Sequence, residues 1–147
     1  MLTIKTKYFN ELTTTELYDL LQLRSAVFVV EQDCVYQDLD GKDKDALHII
    51  GVKNKTIVAY TRVFKPSDYF NEASIGRVVV AHNERQHKYG YEIMNRSIKA
   101  VKDFFNETTI KLSAQTYLKQ FYNNLGFIEE GEEYLEDGIP HIVMVKK

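Results

Sequence analysis

The chain has 147 residues, 44% of them hydrophobic and 27% charged, which fits one globular domain over residues 1–147 and excludes a disordered or low-complexity polymer. With 19 Lys and Arg against 21 Asp and Glu, the net charge of −2 excludes nucleic-acid binding by bulk positive charge. The single Cys34 cannot pair within the chain, no stretch is apolar enough for a membrane span, and the N-terminal residues lack the apolar core of a secretory signal. A cytoplasmic protein with neither nucleic-acid nor membrane partners is expected.

The first clear helix opens at Thr13, where Glu16 three residues on completes a capping box and Leu12 with Leu17 forms the hydrophobic staple. Leu17, Leu20, Leu21, Val27 and Phe28 then recur at helical spacing, with Arg24 on the same face. An arginine there either lies along the rim of the core with its head in water or is held near a carboxylate such as Glu31 at a cleft. Residues 32–46 are acidic and turn-rich. Asp38, Asp40 and Gly41 invite a calcium-loop reading, but Lys42 stands where a third ligand is needed and Gly41 comes too early, so no metal is expected.

Residues 48–52 and 56–64 read as a hairpin across the turn Lys53-Asn54-Lys55, and residues 74–81 as a strand interrupted by Gly76. A second amphipathic helix carries Tyr91, Met94, Ile98, Val101 and Phe105 on one face. Ile110, Leu112 and Ala114 alternate as a strand, and a short helix with Leu118, Phe121, Tyr122 and Leu125 on one face stops at Gly126. Two last strands, around Phe127-Ile128 and residues 139–145, flank an acidic loop over residues 129–138. The order β-α-β-β-β-α-β-α-β-β describes an α/β domain with an antiparallel start and one crossover in its middle.

That crossover is the most informative stretch. After Val78, Val79 and Val80 comes a loop with Arg85, His87, Lys88 and Gly90, then a helix whose N-terminus offers unpaired N–H groups to an anion. A phosphate ligand and a plain solvated loop with Asn83 capping the helix both fit. Neither G-x-G-x-x-G nor a P-loop is present. Tyr122, at helical spacing among apolar residues, reads on its own as core packing.

Together, Arg85-x-x-x-x-Gly90 opening a helix after three valines, and Tyr122-x-x-x-Gly126-Phe127 downstream, resemble the GNAT acetyltransferase superfamily. The strings LRSAVFVVEQDCVYQDLDG, IGRVVV, LSAQ and EDGIPHIVM resemble its ElaA-like branch, over essentially the whole chain. The resemblance implies a mixed, mostly antiparallel central sheet flanked by helices, with a splayed pair of parallel strands in the middle. It implies acetyl-CoA as co-substrate: Val78, Val79 and Val80 pair with the pantetheine arm, Arg85, Gln86, His87, Lys88, Tyr89 and Gly90 wrap the pyrophosphate, and Tyr91 begins the following helix. Gln115 stands where many relatives carry a cofactor-contacting Asn, and Lys88 where they carry Gly. Tyr122 occupies the position of the general acid to the departing CoA thiolate.

Acetylating an amine also requires removing a proton from an ammonium of pKa ~8–10.4. Glu31, Glu136, Asp137, His48 and His141 are candidates, and His141 alone combines a near-neutral intrinsic pKa with a place beside the EDGIP turn. Arg24, Glu31, Glu136 and Asp137 are candidate contacts to a small-molecule or peptide amine. The implied activity is an acetyl-CoA-dependent N-acetyltransferase working by direct transfer, the alternative a catalytically silent acyl-CoA-binding or regulatory module of the same fold. Monomer and homodimer are equally compatible with the sequence.

Overall fold

Helix α1 (Thr14–Arg24) starts at a reciprocal cap: Thr13 Oγ1 accepts from the Glu16 N–H at 3.0 Å while Glu16 Oε1 accepts from the Thr13 N–H at 2.9 Å. In this computed structural model, which describes residues 2–147, the helix widens past Arg24 into a π-helical stretch, Ser25–Glu31. The Gln32 N–H reaches back five residues to Val27 O at 3.1 Å. Phe28 therefore belongs to a different winding from Leu17 and Leu20, although apolar spacing alone reads as one helix. Such wide turns concentrate at functional sites.

Seven strands form one sheet: β1 (Thr3–Tyr8), β2 (Leu47–Lys53), β3 (Thr56–Phe64), β4 (Ala73–Val80), β5 (Ile110–Gln115), β6 (Ile128–Glu136) and β7 (Ile139–Lys146), in the order β1-β2-β3-β4-β5-β7-β6. All neighbours are antiparallel except β4 and β5, which are joined through helix α2 (Tyr89–Phe105). The expected fold, mixed and mostly antiparallel with a central parallel pair, is the one observed. Helix α3 (Lys119–Asn123) is shorter than the periodicity of its apolar residues suggests, because a 3-10 turn, Thr116–Leu118, takes its first residues. The helix ends at Asn123, and the turn after it closes at Gly126, whose φ of +95° suits glycine.

Alternation along the strands sends Ile49 and Ala59 to a core shared with α2 and α3, and Ile50 and Tyr60 to a second core under α1. In β4 that alternation breaks. Ile75 lies in the first core, yet so do Val78 and Val80, while Val79 enters the second. A bulge is the cause: Arg62 pairs with Gly76 and Tyr60 with Val79, so Thr61 faces the two residues Arg77 and Val78. Arg77 sits at φ +50°, a left-handed conformation uncommon for a non-glycine residue.

The acidic segment expected as a loop is instead strand β6, exposed along its whole length and bulged around Gly131, where φ is +80°. An edge strand with water on both faces has no apolar alternation to betray it, and its carboxylates discourage pairing with another sheet edge.

Candidate active site

Strands β4 and β5 pair only at Ala73–Ile110 and Ser74–Lys111 and part beyond. The edge of β4 facing β5 thus leaves the ladder just where the bulge begins, and its polar backbone groups have no β5 partner. Two clefts open into this wedge. One, of about 460 Å³, lies between the π-helical stretch and the start of α2, with Val78, Val79, Val80, Arg85, Lys88, Gly90 and Tyr91 in its wall. The other, of about 420 Å³, lies on the side of the β6–β7 hairpin and contains Glu136, Asp137 and His141. Gln115 and Tyr122 line both.

The first cleft is cationic at its mouth. Arg85 is held there by Glu31, with Nη1 to Oε2 at 2.6 Å and Nη2 to Oε1 at 2.9 Å, and its Nε donates to Val80 O at 3.2 Å. The hydrogen bond from Arg85, more than the opposing desolvation, holds the Glu31 carboxyl below its usual range. Lys88 joins the 3-10 turn His82–His87 to α2 at φ +60°. A residue other than glycine in this region stores strain, a feature that collects at ligand sites. Gly90 has another reason to lack a side chain: a Cβ there would lie 3.2 Å from Cε1 of Phe121.

The second cleft is polar. His141, 7% exposed, has Nδ1 2.7 Å from Ile139 O, and since a carbonyl only accepts, Nδ1 carries the proton. Nε2 lies 3.4 Å from Glu136 Oε2. Ser113 hydrogen-bonds Tyr134 and, at 3.4 Å, Glu136. Tyr122 is buried against Phe121 and Phe127, and burial, with a smaller contribution from Tyr117, pushes its phenol above the ordinary tyrosine value.

The Acetyltransferase (GNAT) domain profile matches residues 14–147, nearly the whole of this architecture. The chain belongs to the GNAT acetyltransferase family. It is 44% identical over 142 residues to Protein ElaA of Escherichia coli K12, covering 95% of this chain and 93% of that one. Two crystal structures superpose over the full length of both chains: an acyl-CoA N-acyltransferase from Pseudomonas aeruginosa, with TM-score 0.94 and 40% identity, and Escherichia coli ElaA, with TM-score 0.93 and 42% identity.

Within this GNAT fold several candidate residues sit elsewhere than the sequence implies. Arg24 is at neither cleft: it is fully buried, its Nε 2.9 Å from Asp38 Oδ2 and its Nη1 2.7 Å from Asp43 Oδ1. An apolar-face arginine can be enclosed completely when carboxylates come to meet it, and these arrive from residues 38–43, too far along the chain for helical spacing to reveal. Glu31 belongs to the mouth of the first cleft, not to the acidic one. His48 is buried between the Tyr60 hydroxyl at 2.6 Å and Asp43 O at 2.9 Å, with its pKa lowered mainly by burial, so it opens onto neither cleft. Gln86 and His87 are exposed and Tyr89 is buried beneath Lys53, so none of these three side chains lines the cleft.

Sequence reading also missed a cluster of three arginines and three aspartates beneath the second cleft. Arg62 engages Asp40 at 2.6 Å and Asp43 at 3.0 Å, and the bulge residue Arg77 engages Asp38 at 2.7 Å. The D-x-D-G string that suggests calcium is therefore occupied by guanidinium groups. Among the described residues no helix is long and apolar enough to cross a membrane.

Proposed function

We propose that this chain moves an acetyl group from acetyl-CoA to an amine by direct transfer, with the mouth of the first cleft holding the diphosphate and the acidic cleft the acceptor. The observation that carries the reading is the parted edge of β4: backbone groups without strand partners, beside Arg85 and Lys88, suit an extended amide chain ending in phosphates. An acyl-CoA supplies the activated acyl group when bound. The chain's own residues do the rest.

In this reading His141 Nε2 takes the ammonium proton, and the Glu136 carboxylate at 3.4 Å stabilises the imidazolium that results. Glu136 and Asp137 make the acceptor cleft attractive to a cation. A β4 N–H at the wedge polarises the thioester carbonyl, and losing such a donor typically costs about 2.7–4 kcal/mol. Tyr122 donates its O–H to the leaving sulfur. From ordinary values, phenol near 10 and thiol near 8.5, complete proton transfer is uphill by about 2 kcal/mol, and burial of Tyr122 steepens it. A raised pKa also keeps the phenol protonated at every physiological pH, as a donor must be.

The test is CoA-thiol release with a panel of amines, run beside calorimetric binding of acetyl-CoA. Tyr122→Phe is expected to lower turnover by about 10²–10⁴-fold with acetyl-CoA affinity unchanged. Tight acetyl-CoA binding with no turnover on any amine would favour a silent acyl-CoA-binding module.

A further inference from the structure

The two clefts meet at a neck made of the six residues that line both: Phe28, Gln32, Val78, Gln115, Leu118 and Tyr122. Two of them bridge it. Gln32 Nε2 donates to Gln115 Oε1 at 3.4 Å, and Gln115 Nε2 donates back to Gln32 Oε1 at 3.3 Å. This reciprocal pair ties the end of the π-helical stretch to the end of β5, straight across the wedge between the clefts. The Gln32 backbone is fixed by its N–H bond to Val27 O, so the width of the π turn aims this side chain at β5.

We infer that the Gln32–Gln115 pair is the stop that limits acyl length. This rests on the proposed transferase reading, in which the acyl group must occupy the neck for an amine in one cleft to reach a thioester in the other. Phe28, Val78 and Leu118 give the neck apolar walls, and the facing amides narrow the space between them. A two-carbon acyl group fits without moving the pair. A four-carbon chain has to part it, displacing both side chains from the neck. The bonds are long, so geometry and volume, more than hydrogen-bond strength, set the limit. An extra methylene in a close-fitting pocket is typically discriminated by about 10–200-fold.

The experiment measures dissociation constants of acetyl-, propionyl- and butyryl-CoA by calorimetry, with free CoA as baseline, and needs no acceptor. In the unaltered protein butyryl-CoA is expected to bind at least about tenfold more weakly than acetyl-CoA. Gln32→Ala is expected to bring the two within about twofold, because the freed volume accommodates the added methylenes. Gln32→Leu, which keeps the bulk and removes the hydrogen bonds, is expected to retain the discrimination. Equal binding of all three by the unaltered protein, no gain in Gln32→Ala, or lost discrimination in Gln32→Leu would each overturn the inference while leaving the transferase reading intact. A protein that binds no acyl-CoA at all would overturn both.

Discussion

Asp43→Ala is the perturbation that most directly tests how the acidic cleft, the proposed acceptor site, is supported. Asp43 Oδ1 lies 2.7 Å from Nη1 of Arg24 and 3.0 Å from Nη1 of Arg62, and both arginines are essentially inaccessible to water. Three guanidinium groups face three carboxylates, so removing one carboxylate leaves a buried positive charge without compensation. Breaking such a pair from one side costs about 3–5 kcal/mol, a large share of the roughly 5–15 kcal/mol that holds a domain together. At about 2–4 °C per kcal/mol for chains of this size, Tm should fall by about 6–20 °C. Asp43→Asn keeps the shape and one acceptor oxygen, so its loss should be smaller, about 1.5–3 kcal/mol. Urea unfolding measures both. The pH dependence gives a second readout. Burial alone would raise the Asp43 pKa, but the hydrogen bond and charge of Arg24, then those of Arg62, outweigh it and hold the carboxyl below its ordinary value. The unfolded state therefore takes up the proton first, near pH ~4, and the contribution is complete above that and lost as pH falls through the lower folded value. Asp43→Asn should lack this component of acid sensitivity. A loss under about 1 kcal/mol for Asp43→Ala would mean the pocket rehydrates freely, and the cluster would not be a framework for the cleft.

Two further substitutions probe the mouth of the first cleft, the proposed diphosphate site. Lys88→Gly relieves a left-handed residue at φ +60° and should stabilise the fold by up to about 1 kcal/mol in urea, while weakening acetyl-CoA binding through loss of a cation. Stronger binding would show that the Lys88 side chain obstructs the diphosphate. Glu31→Gln removes the carboxylate that engages Arg85 at 2.6 Å, so CoA affinity should rise severalfold while stability, for an exposed pair, stays within about 1 kcal/mol. Weaker CoA binding would recast Glu31 as the residue that positions Arg85.

What could be read from the sequence was what short-range rules encode. The Thr13 capping box, the turn at Gly126 and the three valines before the α2 helix follow from local spacing, and together with the family resemblance they give the order of elements and the parting of β4 from β5. Three features that shape the clefts escaped. The π turn after Arg24 leaves apolar spacing nearly unchanged. The β4 bulge has only Gly76 near it as a hint, and its key residue is an arginine. The arginine–aspartate cluster joins residues 24, 62 and 77 to residues 38, 40 and 43, partners that no periodicity relates. The same long-range pairing explains why Arg24, correctly placed on the inner face of α1, is structural, while Gln32, within a string that carried only the family resemblance and no assigned role, stands in the neck.

The bulge and the cluster are parts of one device. Without the extra residue, Val79 would follow Ile75 into the first core and Val78 would point away from the wedge, so the side of β4 offered to the clefts would be reversed. A bulge with a left-handed arginine at its centre is strained and needs support. Arg77 obtains it from Asp38 Oδ1 at 2.7 Å, from the Asp38 carbonyl at 2.9 Å and from the Tyr36 ring at 5.7 Å. Asp38 in turn is held by the buried Arg24, whose helix leads directly into the π turn that carries Phe28 and Gln32. One chain of contacts thus sets both walls of the neck. Loosening the cluster should therefore alter acyl-chain discrimination from a distance, even though Arg24 and Asp43 line neither cleft.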